Sequence, residues 1–281
     1  MNEQHYDAWP IGMRTFSRLS VTVKGRPVTV AASASGEGAG DELVVLLHGL
    51  GCTRESWDAV VPAVDHRRRW LAIDLPGHGQ SAPLPPRQAD AIGFHAAVVV
   101  ELVRQLAPDR VHLVSHSMGT AVALAAAPDL PGGAFITVEG NLVARDCGLI
   151  SRRIATQSRG TFIRSGFARM RDDLIASPDA DARFWGSTWF ACADPASIWA
   201  SAASLVAWCD SGALAERWSR LTDRTYIWGE HTGPPGHLGH LLDGVRVEQI
   251  AGVGHFAMIG NPIGLQQAVM RAMAPDGQAS T

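Results

Sequence analysis

This sequence predicts a doubly wound α/β fold: a mostly parallel sheet of eight strands, with a helical cap inserted between two of them. Three observations carry that prediction. Short, nearly continuous apolar runs recur along the chain with helix-length segments between them, as in strands that helices cover on both faces. Those runs end in glycine or in polar residues able to do chemistry. Between the sixth and seventh runs, residues 142–222 change character, with Arg, Asp and Ser interleaved by Trp and Phe at helical rather than strand spacing.

Taken in order, FSRLSVTV (16–23) and RPVTVAAS (26–33) flank Lys24-Gly25 and read as a hairpin at the edge of the sheet. LVVLLHG (43–49), WLAIDLPG (70–77), VHLVS (111–115) and AFITVEG (134–140) read as its buried centre, and TYIWGE (225–230) with VRVEQIAG (245–252) completes it. The core is thus expected over 1–141 and 223–281, and the cap over 142–222. The cap holds Phe162, Phe167, Phe184, Trp185, Trp189, Phe190, Trp199, Trp208 and Trp218. Most of these rings are expected to pack the cap's own core. A small lobe cannot bury all of them, so Trp185, Trp189 and Trp208 are expected, with Gly49, to line a substrate pocket beneath it.

Composition narrows the partners. The 281 residues carry 24 basic and 27 acidic side chains, a net charge of −3, spread without a basic stripe, so neither nucleic acid nor a polybasic membrane contact is expected. Cys52, Cys147, Cys192 and Cys209 form no CxxC pair, which points to reduced thiols and a cytoplasmic setting. No apolar run approaches the ~20 residues of a membrane span. The polar start, MNEQHYDAWPIGMR, has no apolar secretory core, and the tail APDGQAST is expected to fray. The partner is expected to be a small molecule.

In an open α/β sheet, ligands sit beyond the C-terminal ends of the strands, so the residues that follow each apolar run are the ones to inspect. In VHLVSHSMGTAVALAAA (111–127) an apolar strand passes straight into an alanine-rich helix, and Ser117 stands at the corner. A tight turn there displays the side chain, small Ser115 and Gly119 let strand and helix approach, and the helix N-terminus favours negative charge developing nearby. A serine hydroxyl needs a base. AGVGHFAMIGNP supplies His255 on a glycine-rich loop after the last strand. His116 is expected to point away from Ser117, and His112 to alternate within its strand.

Together HGLG after the third strand, DLPGHGQS after the fourth, SHSMG at the corner and GVGHF at the end resemble the α/β-hydrolase family, on both sides of the cap. Ser115 departs from that family's G-x-S-x-G by replacing its first glycine. The resemblance implies Ser117 as nucleophile, His255 as base, and the backbone N–H groups of Leu50 and Met118 as oxyanion hole. Asp74, Gly77, His78 and Gly79 are expected to shape their turn without touching substrate.

The acid is where the chain breaks the family's commonest pattern. After the seventh strand it reads WGEHTGPPG, with Thr232 near where an aspartate is expected and Glu230 close against the strand end. The other position the family uses, just after the sixth strand, offers Glu139 in FITVEGNL. Glu139 is favoured as the acid, with Glu230 as the alternative; a purely structural Glu139 would be braced by Arg145 or Arg152. His231, His237 and His240 lie in a Gly/Pro loop and are not expected to hold a metal.

These readings imply a serine hydrolase that cleaves a carboxylic ester or lactone of an apolar substrate through an acyl-Ser117 intermediate, with no cofactor. Two other enzymes use the same set on this fold, a serine-dependent C–C bond hydrolase and a cofactor-free haloperoxidase-like enzyme. A ligand-binding receptor on a hydrolase fold is the alternative outside catalysis.

Overall fold

The computed structural model describes residues 15–35, 41–62, 65–148 and 150–274. The polar N-terminal stretch and the tail beyond Ala274, on which expectations were placed, lie outside them. Eight strands form one sheet: β1 (Thr15–Val23), β2 (Arg26–Ser35), β3 (Glu42–Leu47), β4 (Arg68–Ile73), β5 (Arg110–His116), β6 (Phe135–Val138), β7 (Arg224–Gly229) and β8 (Arg246–Ile250). Their order across the sheet is β1-β2-β4-β3-β5-β6-β7-β8. β1 pairs antiparallel with β2, and β2 antiparallel with β4; every later pairing is parallel.

The two kinds of strand differ as their sequences do. In β1, Leu19, Val21 and Val23 are buried while Ser20 and Thr22 are exposed, the alternation of a strand with one wet face. Lys24 and Gly25 both have positive φ, 50° and 75°, as a two-residue hairpin turn requires. Central β3 instead buries every residue from Leu43 to Leu47, because helices cover both its faces.

Helix α1 (Ala91–Leu106) starts at Asp90, whose carboxylate accepts the Gly93 N–H at 3.0 Å. Helix α2 (Met118–Ala126) follows β5 with only Ser117 between them. It lies so close to the sheet that a Cβ on Gly119 would sit 2.3 Å from the Leu47 carbonyl oxygen. Only glycine fits there.

Between β6 and β7 the described residues form a succession of short helices from Ala144 to Ser219, the inserted cap. Its longest helix, Pro195–Asp210, is sewn to the core by small hydroxyl side chains. Ser197 Oγ accepts from the Leu84 N–H at 3.0 Å, Ser201 Oγ meets His95 Nε2 at 3.0 Å, and Ser204 Oγ accepts from the Ile92 N–H at 3.1 Å. Trp218 departs from the expectation that the aromatic rings pack within the cap. Its ring lies 5.9 Å from Phe135 and 6.4 Å from Tyr226, and its Nε1–H donates to the Leu241 carbonyl at 2.7 Å, so it packs on the sheet. The end of the helical segment has already returned to the core. Among the described residues no single helix is long and apolar enough to cross a bilayer.

Candidate active site

Ser117 has φ 50° and ψ −119°, torsions a residue with a Cβ takes only when its surroundings impose them. Here they do. The Ser117 N–H donates to the Val138 carbonyl at 3.0 Å, and the Ser117 carbonyl accepts the Thr120 N–H at 3.0 Å, so strand and helix both grip the corner. Ser115 fills the place of the missing glycine with its hydroxyl satisfied by the Ile136 carbonyl at 3.2 Å and facing Thr120 Oγ1 at 3.2 Å.

The HGLG turn lies directly against this corner: a Cβ on Gly49 would come within 3.2 Å of Ser117 Cβ and 2.7 Å of His116 Nδ1. Gly51, with φ 68°, completes the turn. Two bonds of His48 fix the loop, Nδ1–H donating to the Gly49 carbonyl at 2.8 Å and Nε2 accepting the Leu75 N–H at 2.9 Å. Burial lowers the His48 pKa to about 4, so the ring is neutral, as a nitrogen that accepts must be. Leu50 therefore sits on a fixed turn beside Ser117. Met118 opens α2, so its N–H has no acceptor within the helix.

His255 stands on the loop between β8 and the short helix Ala257–Gly260. Its Nδ1 is 3.6 Å from Glu139 Oε2, longer than a hydrogen bond but correctly paired for one to form on a small movement. Glu139 is buried, has φ 52°, and is anchored through Oε1 to the Gly229 N–H at 2.8 Å. Among the described residues neither arginine considered as its brace bonds it; Arg152 pairs instead with Asp210. Glu230 is exposed and accepts the Gly252 N–H at 2.8 Å. The geometry thus brings Glu139, and not Glu230, to His255.

Ser117, His255, Gly49 and Leu50 share the wall of one cavity of about 560 Å³. Trp185 lines it too and donates its Nε1–H to the Gly51 carbonyl at 3.0 Å, so this cap ring braces the HGLG turn. Trp189 is buried behind that wall, against Phe184 and Phe256 at 5.1 and 6.4 Å. Trp208 lies elsewhere: it donates to Asp90 Oδ1 at 2.9 Å and lines a separate groove beside α1. The Pro195–Asp210 helix runs along α1 and carries Trp208 away from Ser117. Asp74, Gly77, His78 and Gly79 are outside the cavity wall. Asp74 instead ties the loop after HGLG, accepting from the Arg54 N–H at 2.7 Å and pairing with Arg54 Nη1 at 2.5 Å.

Asn141 escaped the sequence reading, and His116 was set aside by it. Asn141 Oδ1 accepts the Ser117 hydroxyl at 3.3 Å, while its Nδ2–H donates to the Asp146 carbonyl at 2.9 Å. It is two residues beyond Glu139 on the same strand end, the region already marked for inspection. His116 does not leave the site: it lines the cavity and donates Nε2–H to the His255 carbonyl at 2.9 Å. Burial, then the neighbouring His255, holds its pKa well below the ordinary range. Of the loop histidines, His237 pairs with Asp146 Oδ1 at 2.5 Å and His231 lines the cavity. Among the described residues no three metal-ligating side chains gather.

A strained serine at a helix N-terminus, a histidine backed by a buried carboxylate, and a tight turn of backbone amides can together carry out acyl transfer. Comparison with known proteins agrees at the level of the family. A pimeloyl-[acyl-carrier protein] methyl ester esterase of Methylococcus capsulatus is 41% identical over 95 residues, 34% of this chain and 34% of that protein. A 2-hydroxy-6-oxononadienedioate/2-hydroxy-6-oxononatrienedioate hydrolase of a Pseudomonas species is 36% identical over 98 residues, again 34% of each. The matches span about a third or less of these and the other leading curated relatives. Among solved structures, a carboxylesterase study of Nitrososphaera gargenis gives a TM-score of 0.72 at 17% identity, covering 90% of this chain and 97% of that one, a likeness of fold. The profile of the Alpha/beta hydrolase family matches residues 44–265, and the chain belongs to that family.

Proposed function

We propose that this protein is a serine hydrolase that cleaves a carboxylic ester or lactone of a small, largely apolar substrate. The observation that carries the reading is the shared cavity, in which a strained Ser117 stands beside His255, itself backed by Glu139. His255 removes the hydroxyl proton as Ser117 Oγ attacks the carbonyl, and Glu139 stabilises the imidazolium that results. Leu50 and Met118 donate their N–H groups to the oxyanion, an interaction in which one donor is worth on the order of 3 kcal/mol. The intermediate collapses by breaking the ester C–O bond, with His255 returning its proton to the leaving oxygen. Water, deprotonated by His255, then attacks the acyl-Ser117 ester and releases the acid.

In the resting geometry the serine proton points to Asn141 rather than to His255. Proton transfer to His255 therefore requires the hydroxyl to leave Asn141. The reading is tested by quenching the protein during turnover of p-nitrophenyl butyrate and γ-butyrolactone and weighing it intact. Acylation of Ser117, abolished in Ser117→Ala, supports it; turnover that survives in Ser117→Ala removes it.

A further inference from the structure

The cavity beside Ser117 has a sign. Its wall includes the carboxylates of Asp146, Asp179 and Asp181, and among the described residues no lysine or arginine lines it. Of the three histidines on the wall, His116, His231 and His255, burial holds His116 neutral. The three carboxylates are not equally engaged. Asp146 accepts the N–H groups of Leu142 and Val143 at 2.7 and 2.9 Å and pairs with His237. Asp179 caps the helix Ala180–Phe184 by accepting from Asp181 N–H and Ala182 N–H at 2.8 and 3.1 Å.

Asp181 is different. It is half-buried on the cavity wall and makes no recorded side-chain hydrogen bond or ion pair among the described residues. Burial, reinforced by Asp179, raises its carboxyl pKa, and His231 opposes that only in part. An under-compensated carboxylate of this kind is relieved by a positive ligand group and repels a negative one.

Resting on the esterase reading above, we propose that the cavity is a charge filter: it takes cationic esters best, uncharged ones next and anionic ones worst, with Asp181 setting the order. The proposal also separates this protein from the dioate hydrolase that it resembles over part of its length. A dioate brings two carboxylates, and this wall holds no lysine or arginine to meet them.

The test uses three p-nitrophenyl esters of equal acyl length, ending in trimethylammonium, methyl or carboxylate, and compares kcat/KM at low and high salt. Calorimetry then measures the affinity of hexyltrimethylammonium, hexanol and hexanoate, which needs no turnover. Cation over anion is expected by about fivefold or more at low salt, shrinking as salt screens the charges. Asp181→Asn should compress that ratio, whereas Asp172→Asn, at an exposed residue outside the wall that bonds Arg171, should leave it as it was. Equal or tighter binding of the anion overturns the filter whether or not any ester is cleaved. A preserved order in binding with no cleavage of any ester sustains the filter and overturns the hydrolase reading.

Discussion

Ser117 and Glu139 both hold positive φ, 50° and 52°, although neither is glycine. Each follows directly from a parallel strand end, and each has its N–H pinned to a neighbouring strand, Ser117 to Val138 and Glu139 to Ile227 at 2.9 Å. The sheet therefore holds the backbone in a conformation that aims both side chains above its C-terminal edge. Such strain costs on the order of 1–3 kcal/mol per residue and persists where its surroundings impose it. At this scale the two acid candidates separate. Glu139→Gln retains an oxygen for the Gly229 N–H but removes the charge proposed to stabilise protonated His255, so kcat should fall on the order of 10²-fold or more, without a matching rise in KM. Glu230→Gln, at an exposed residue bonded to Gly252, should change kcat by less than about threefold. Steady-state kinetics on the two variants decides between them, and a larger loss at Glu230 would reverse the assignment.

At the scale of elements, the turns after β3 and β4 work as a pair. His48 and Asp74 link them to each other and to the Arg54 loop, and the HGLG turn is held without any of these side chains entering the cavity. Asp74 is wholly buried against a nearly buried Arg54. Asp74→Ala takes the buried carboxylate from that guanidinium, leaving it the exposed Glu55 at 3.5 Å and the Ser33 hydroxyl at 3.0 Å, and should lower stability by about 3 kcal/mol, seen as a drop in Tm. A change under about 1 kcal/mol would mean that the pair does not anchor the loop. All eight strands were legible in the sequence: the central ones are apolar runs closed by turn residues with no wet face to blur the pattern, β1 alternates buried and exposed residues, and β8 is a short β-branched run ending in glycine. The cap was legible as helical but not in its contacts. Trp185, Trp189 and Trp208 look alike in sequence, yet they face the cavity, its back wall and the flank of α1. Which of these a ring meets depends on how the cap helices are rotated and docked, and spacing along the chain does not encode that. Asn141 was missed, and His116 set aside, for a related reason. Their roles arise from bonds to Ser117 and to the His255 carbonyl across the sheet edge, not from a motif.

Over the whole molecule, buried histidines tie stability to pH. His48, His78 and His95 are fully buried in a row, with ring centroids 4.9 and 6.1 Å apart. Burial lowers the pKa of His48 to about 4 and that of His78 to about 3, helped at His78 by its neighbour His48, and His95 is also lowered well below the usual value. Unfolded, each titrates near 6.5, so below that pH the unfolded chain binds more protons than the folded one. Stability should be at its full value above pH 6.5 and should fall as pH drops from 6.5 towards 4, by up to roughly 1.4 kcal/mol per pH unit for each histidine. Tm measured across pH 4–8 checks this, and His78→Gln should make the acid limb shallower. A Tm that stays level or rises from pH 6.5 to pH 4.5 would contradict it.

The central claim is that the fold builds an activated serine at residue 117. The most direct measurement is to treat the protein and its Ser117→Ala variant with a fluorophosphonate, weigh both intact and map the adduct. One adduct on Ser117, absent from the variant, is the predicted result. No adduct on folded protein with an open cavity, or an adduct that persists in the variant, would contradict it.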